Sequence, residues 1–234
     1  MTTPSFPPLF TGLAVEGSTD PFDHACGEAT RGCDAGLVIY NLGSTELRGA
    51  MVFAPDVTLA NAMTMLPLCG VSFQNALGAL APPEVAVHLD WNGGLRINGG
   101  ACGRLRVAAS DKLPDADPGW LVIGLELTLW PESDDGGTTP NQTALYAEGC
   151  ADVSADDLIE SWVKHTLVGI NRWTEDGPAS LHKDWRGLAH GIDAPIEMDQ
   201  KSGIFLGVDE RFGMLIRNDT TTHLVPLTHL LENA

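Results

Sequence analysis

Basic residues are scarce: lysine and arginine number 13 against 31 aspartates and glutamates, a formal net charge of −18. So acidic a chain lacks the cations that nucleic-acid phosphates require, and the same shortage argues against an anionic membrane surface as a partner. No apolar run reaches the ~20 residues of a membrane span. The opening MTTPSFPPLF has no basic region of the kind that starts a signal peptide. The five cysteines (Cys26, Cys33, Cys69, Cys102, Cys150) are odd in number, scattered, and never spaced C-x-x-C. That pattern suits neither a disulfide framework nor a zinc site, and reduced thiols in a cytoplasmic protein are the expectation. In that setting the glycosylation-type triplets at Asn141 and Asn218 carry no meaning. His24, His88, His165, His182, His190, His223 and His229 have no metal-ligand spacing, so no metal site is predicted. Internal repeats and low-complexity tracts are also missing.

What remains is the composition of an ordinary folded chain, 44% apolar and 19% charged over 234 residues. At this length roughly 70–75% of the unfolded chain's surface is buried on folding, enough for a proper core. Proline-rich residues 1–19 read as an extended lead-in with room for one strand. Asp20-Pro21 has a capping side chain followed by proline at the first helical position, and predicts a helix to about Ala29, ended by Arg31-Gly32. Short strands follow at Leu37–Tyr40 and Leu47–Phe53, with a turn at Asn41–Ser44. Asp56 is placed to cap a helix through Met65, and a second helix from Pro67 buries Leu68, Val71, Ala76, Leu77 and Leu80 before Pro82-Pro83 stops it. Trp120–Trp130 is a long alternating strand, and residues 133–141 form a loop rich in Gly, Thr and Asp. Ser154 and Asp157 open a helix that carries Leu158, Ile159, Trp162, Val163, Leu167 and Ile170 inward. A shorter helix, Leu181–His190, turns Leu181, Trp185 and Leu188 inward, with Gly191 as its expected C-cap. From Ala194 only strands remain: Gly203–Val208, Gly213–Arg217 and Thr222–Leu227. Some 40 residues of small strands bury too little to stand alone, since ordering costs about 1.5 kcal/mol per residue. The reading is a main domain over 1–193 and a small β domain over 194–234. The class is α+β: a mixed, mainly antiparallel sheet with helices packed on it.

Between these lies VAVHLDWNGGLRINGGACGRLRVA, Val85–Ala108. Val85, Val87 and Leu89 alternate with polar or small neighbours, the period of a half-buried strand. Asn92-Gly93-Gly94 and Asn98-Gly99-Gly100 break the chain twice around Leu95 and Ile97. Glycines so placed let the backbone come close to a ligand or to another strand.

Asp90-Trp91-Asn92-Gly93-Gly94 resembles the Lys-Trp-Pro-Asn-Asp segment of biotin protein ligases, and Gly100-Ala101-Cys102-Gly103-Arg104-Leu105 resembles the Lys-Leu-Ala-Gly-Ile-Leu segment that follows it. Leu121-Val122-Ile123-Gly124 resembles the start of the family's Val-Ile-Gly-Ile-Gly-Ile-Asn strand, with Glu126 and Thr128 where its later Gly and Asn stand. Residues 202–215 resemble the small SH3-like β domain that ends such ligases. The resemblance implies a class II aminoacyl-tRNA synthetase/biotin ligase-like fold with a small SH3-like β barrel behind it. It also implies a ligase that adenylates biotin or a lipoyl/octanoyl-type acid with ATP and Mg2+, biotin or lipoate being the substrate, and transfers the acyl group to a lysine of a biotin- or lipoyl-accepting carrier domain. Asp90 and Gly100 stand where the family has lysines.

An acyl-adenylate needs cations on the phosphates and on the developing charge. The replacements closest in sequence are Arg96, Arg104 and Arg106, of which Arg104 and Arg106 share a face by strand period; the alternative is that they are solvated strand arginines. The family's arginine-glycine loop has Arg31-Gly32 as its nearest counterpart. The implied ligand contacts are Arg31, Gly32, Trp91, Asn92, Gly93, Gly100, Gly103 and Gly124. Two other readings stay open. One is a ligase-like protein that binds an acyl ligand, nucleotide or carrier without turning it over. The other is a cysteine-dependent acyltransferase using Cys150, which precedes a helix start where a thiolate can be stabilised.

Overall fold

The computed structural model describes residues 3–131, 141–198 and 201–233. An edge strand, β1 (Thr11–Ala14), leads into helix α1 (Pro21–Arg31). The Asp20 carboxylate accepts the Phe22 N–H at 2.9 Å, and Gly32 closes the helix at φ 90°, so both ends follow from sequence. Strands β2 (Leu37–Leu42) and β3 (Glu46–Phe53) form a hairpin. Asn41 lies inside β2 rather than in the expected turn, which narrows to residues 43–45.

The helix expected from Asp56 to Met65 is the single turn α2 (Leu59–Ala62). Its first free amides, those of Leu59 and Ala60, donate to the carbonyls of Ala116 and Pro114, so a distant loop does the capping assigned to Asp56. Helix α3 (Met65–Gly78) is buried continuously from Met65 to Phe73, as befits a helix enclosed on several sides. Three strands follow, β4 (Val87–Leu89), β5 (Gly94–Ile97) and β6 (Gly100–Ala109), and then β7 (Leu121–Thr128). The loop expected over 133–141 lies, except for Asn141, outside the described residues. Helix α4 (Ala155–Asp176) starts where Ser154 Oγ accepts the Asp157 N–H at 3.1 Å, and α5 (Pro178–Leu188) follows Gly177. The chain leaves α5 at Ala189, not Gly191, because Ala189 bridges Leu89 and the His190 N–H bonds the Leu89 carbonyl.

The seven strands run in the order β1-β2-β3-β7-β6-β5-β4. Among the strand pairs of the described residues only β1–β2 is parallel, so the sheet is mixed and mainly antiparallel. Strand alternation gives it two faces. Val38, Leu47, Met51, Ile123, Leu125, Leu105 and Val107 meet the layer of α3, α4 and α5, where the Trp162 indole N–H donates to the Cys69 carbonyl at 3.0 Å. On the other face α1 sets Phe22, Ala25, Cys26 and Ala29 over Ile39, Ala50, Val52, Ala108 and Val122.

A second sheet of four antiparallel strands follows: β8 (Pro195–Met198), β9 (Lys201–Val208), β10 (Met214–Arg217) and β11 (Thr222–Val225). It leans on the main core through Phe205, Phe212, Met214, Ile216 and Val225. Trp91 is the strut: 5% exposed, it donates its indole N–H to the Phe212 carbonyl at 2.7 Å.

Candidate functional site

Helix α1 covers only part of its face of the large sheet. One row of that face runs Ile39, Ala50, Gly124, Arg106 across four strands, and two residues along each strand the next runs Asn41, Arg48, Glu126, Arg104. The first row lies under the start of α1; the second lies past it and is polar throughout. Opposite charges directly across strands stabilise the pairing, and here Glu126 stands between two arginines. Loop residue Gly17 borders the row, its carbonyl accepting the Asn41 amide at 3.0 Å and an Arg48 N–H at 3.4 Å.

Arg106 organises the patch. Its Nη1 donates to Asp20 at 2.7 Å and Glu126 at 3.0 Å, while Nε and Nη2 form a fork on Glu232 at 2.7–3.1 Å. Asp23 stands 3.5 Å from Nη2, and the guanidinium lies 4.1 Å from the centroid of the Phe22 ring. Burial opposes its charge, but the hydrogen bonds it donates to Glu232 and Asp20 outweigh this and hold its pKa above the ordinary arginine value. Arg104 donates to Glu126 from Nε at 2.6 Å, and that bond likewise raises its pKa. Beside them a cleft of about 240 Å³ opens between Asn92, Gly94, Arg104, Arg106, Leu230 and Glu232.

Arg96 does not join this group. Its Nε binds both oxygens of Asp90 at 2.9 and 3.0 Å, and its Nη1 donates to the Gly99 carbonyl. His190 Nδ1 also lies 2.9 Å from Asp90. Asp90 is therefore neutralised locally.

The other sequence candidates are dispersed. Arg31 and Gly32 end α1, about 16 Å along the axis from Asp20. Arg31 pairs with Glu28 there and Gly32 supplies the left-handed cap, so neither reaches the cleft. Trp91 lines a nearly filled void of about 20 Å³ with Pro67, Gly70, Trp185 and Phe212, on the helix side of the sheet. Asn92 and the Gly93-Gly94 turn do border the patch. The remaining glycines make room for the chain's own atoms. A Cβ on Gly124 would stand 2.6 Å from the Phe22 ring, one on Gly100 would stand 2.8 Å from Thr143, and one on Gly103 would overlap the Glu126 carbonyl. Cys150 is 1% exposed, and burial, with Glu148 adding to it, raises its thiol pKa. That is the opposite of an activated nucleophile.

Sequence reasoning missed Asp20, Glu126 and Glu232. Asp20 reads as a cap and is one, while also facing Arg106. Glu126 carried a signal, a charge in an otherwise apolar strand. Nothing in the sequence ties Glu232 to Arg106, 126 positions earlier. Among the described residues no group of three or more His, Cys, Asp or Glu side chains is arranged to hold a metal ion, and no helix is long and apolar enough to cross a membrane.

The profile of the biotin/lipoate A/B protein ligase family matches residues 6–187. The chain belongs to that family. A second profile, described only as a domain of unknown function, matches residues 195–233. Among solved structures, a biotin protein ligase-like protein of unknown function from a Silicibacter species is 63% identical, with TM-score 0.94 over 99% of this chain and 100% of that one. The biotin protein ligase of Aquifex aeolicus has the same fold at 12% identity, TM-score 0.75, covering 92% of this chain and 95% of its own. That of Leishmania major, in complex with biotinyl-5-AMP, gives TM-score 0.59 at 16% identity over 94% and 99%. No curated protein matches the sequence. The biotin ligase-like fold expected from the resemblance is thus the fold observed. Each arginine near the glycine turns is already paired with a carboxylate of the chain.

Proposed function

We propose that this family member binds a small carboxylic acid of the biotin, lipoyl or octanoyl type at the polar end of the sheet and does not adenylate it. One observation carries the reading: Arg96, Arg104 and Arg106 are each closed by carboxylates of the chain itself. Making an acyl-adenylate from ATP, with Mg2+, would need several cations free at once to meet the phosphates, and each one freed leaves a carboxylate unpaired, whereas an acid needs only one. The residues present do not fit a triphosphate. They fit an uncharged or singly charged acyl ligand bordered by Asn92, Gly94, Arg104 and Arg106.

Ligases of this fold have been crystallised with biotin and ATP (Aquifex aeolicus) and with biotinyl-5-AMP (Leishmania major), which makes biotin the first acid to test. A biotin- or lipoyl-accepting carrier domain is then a docking partner and not a substrate. The SH3-like character of residues 194–234 and a cytoplasmic location belong to the same proposal. Acyl transfer through Cys150 does not, since its thiol is buried and held protonated.

The test is calorimetric titration with biotin, lipoate, octanoate and ATP, beside ATP–pyrophosphate exchange. Binding of an acid without exchange is expected. Acid-dependent exchange would restore the ligase reading, and failure to bind any of the three acids would refute the proposal.

A further inference from the structure

We infer that Glu232 is a built-in stand-in for the ligand's carboxylate: it occupies Arg106 in the resting protein, and an acid enters by displacing the segment that carries it. The inference rests on the proposal that an acid is bound at this cleft.

Three carboxylates are hydrogen-bonded to Arg106, but they are held differently. Asp20 is fixed as the cap of α1, and Glu126 sits in the middle of the large sheet between β3 and β6. Glu232 comes from an irregular segment anchored to the sheet by its own N–H on the Val107 carbonyl at 2.9 Å and by the Lys112–Asn233 side-chain contact. It approaches the guanidinium along the Nε/Nη2 edge, with two parallel N–H···O bonds, the geometry in which arginine takes a free carboxylate. It also borders the cleft, so a molecule entering there meets Glu232 before either of the fixed carboxylates.

Charge then dictates exchange over addition. The ion pairs of Arg104 and Arg106 join two guanidiniums to four carboxylates, Asp20, Asp23, Glu126 and Glu232. A further carboxylate beside Glu232 would add like charge to a group already in excess. One that takes the place of Glu232 keeps the number of carboxylates on Arg106 unchanged and reuses the same two hydrogen bonds, while the displaced, part-exposed Glu232 carboxylate turns to solvent. The tethered glutamate is thus an intramolecular competitor, present at an effective concentration on the order of millimolar. It lowers the affinity for acids and leaves alone any ligand without a carboxylate.

The experiment is calorimetric titration of the unaltered protein and of Glu232→Gln with biotin, lipoate and octanoate, and with the primary amide of each. Melting temperatures verify that both proteins are folded, and glutamine keeps the shape of the side chain. The expected result is that Glu232→Gln binds an acid about tenfold or more tightly than the unaltered protein, the scale set by removing a competitor of that kind, while amide affinity is unchanged. In the unaltered protein, saturating acid should also speed hydrogen exchange at the Glu232 N–H. Equal acid affinity in the two proteins, or an equal gain for acid and amide, would overturn the inference while leaving acid binding intact. If neither protein binds any acid, the proposal beneath it fails, and the inference fails with it.

Discussion

Gly124 shows how a single missing side chain shapes this face of the sheet. Its absent Cβ is the space into which the Phe22 ring fits, and that ring in turn carries the Arg106 guanidinium. Gly124→Ala should therefore destabilise the protein by about 1–3 kcal/mol, the range for overpacking a filled site, and shift Arg106 with it; urea unfolding measures the first effect. The thiols make a second residue-scale prediction. Burial pushes Cys26 and Cys102 up to about 12, and raises Cys33, Cys69 and Cys150 as well. An alkylating reagent at pH 8 should label the folded protein slowly, half-buried Cys33 first, and all five positions quickly in denaturant. His165 supplies a pH dependence. Burial, then the neighbouring Lys164, lowers its pKa below the ordinary histidine value of 6.5. Below pH 6.5 the unfolded chain takes up this proton more readily than the folded one, so stability falls as the solution is acidified through that range. His165→Gln should remove that part of the acid sensitivity, which urea unfolding at pH 7.5 and pH 5.5 measures.

Elements whose signals are local were legible. The Asp20 cap, the Ser154 cap and the alternation of β7 each sit within a few residues of what they specify. Elements that depend on distant partners were not. α2 shrinks to one turn because residues 114–116 supply the acceptors for its first amides. β6 extends back to Gly100 because β5 pairs with that end on one side and a bridge between Ala101 and Gln142 holds it on the other. The polar row hides for the same reason, since Glu126 faces Arg104 and Arg48 only once strand registers are set. Trp91 reads as a pocket wall beside its glycines, and the structure gives it to the joint with the small sheet instead. That role is testable: Trp91→Phe removes one buried hydrogen bond, at a cost of about 1–3 kcal/mol for the carbonyl left behind. Hydrogen exchange should quicken first in β9 to β11, which depend on that joint; unchanged protection there would deny Trp91 the role.

Across the whole molecule, the chain has the biotin ligase-like fold, a mixed sheet with a helical layer and a separate small β sheet, and the arginines near its glycine turns are occupied by its own carboxylates. The resemblance puts lysines at Asp90 and Gly100, and Arg96, Arg104 and Arg106, the nearest cations, are bound by Asp90, Glu126, Asp20 and Glu232. Retention of a fold does not carry its reaction with it. The deciding measurement is acid-dependent exchange of labelled pyrophosphate into ATP, with biotin, lipoate and octanoate each supplied to the unaltered protein. The account predicts exchange no faster than without protein for all three acids; exchange that rises with protein and with any one acid would contradict it.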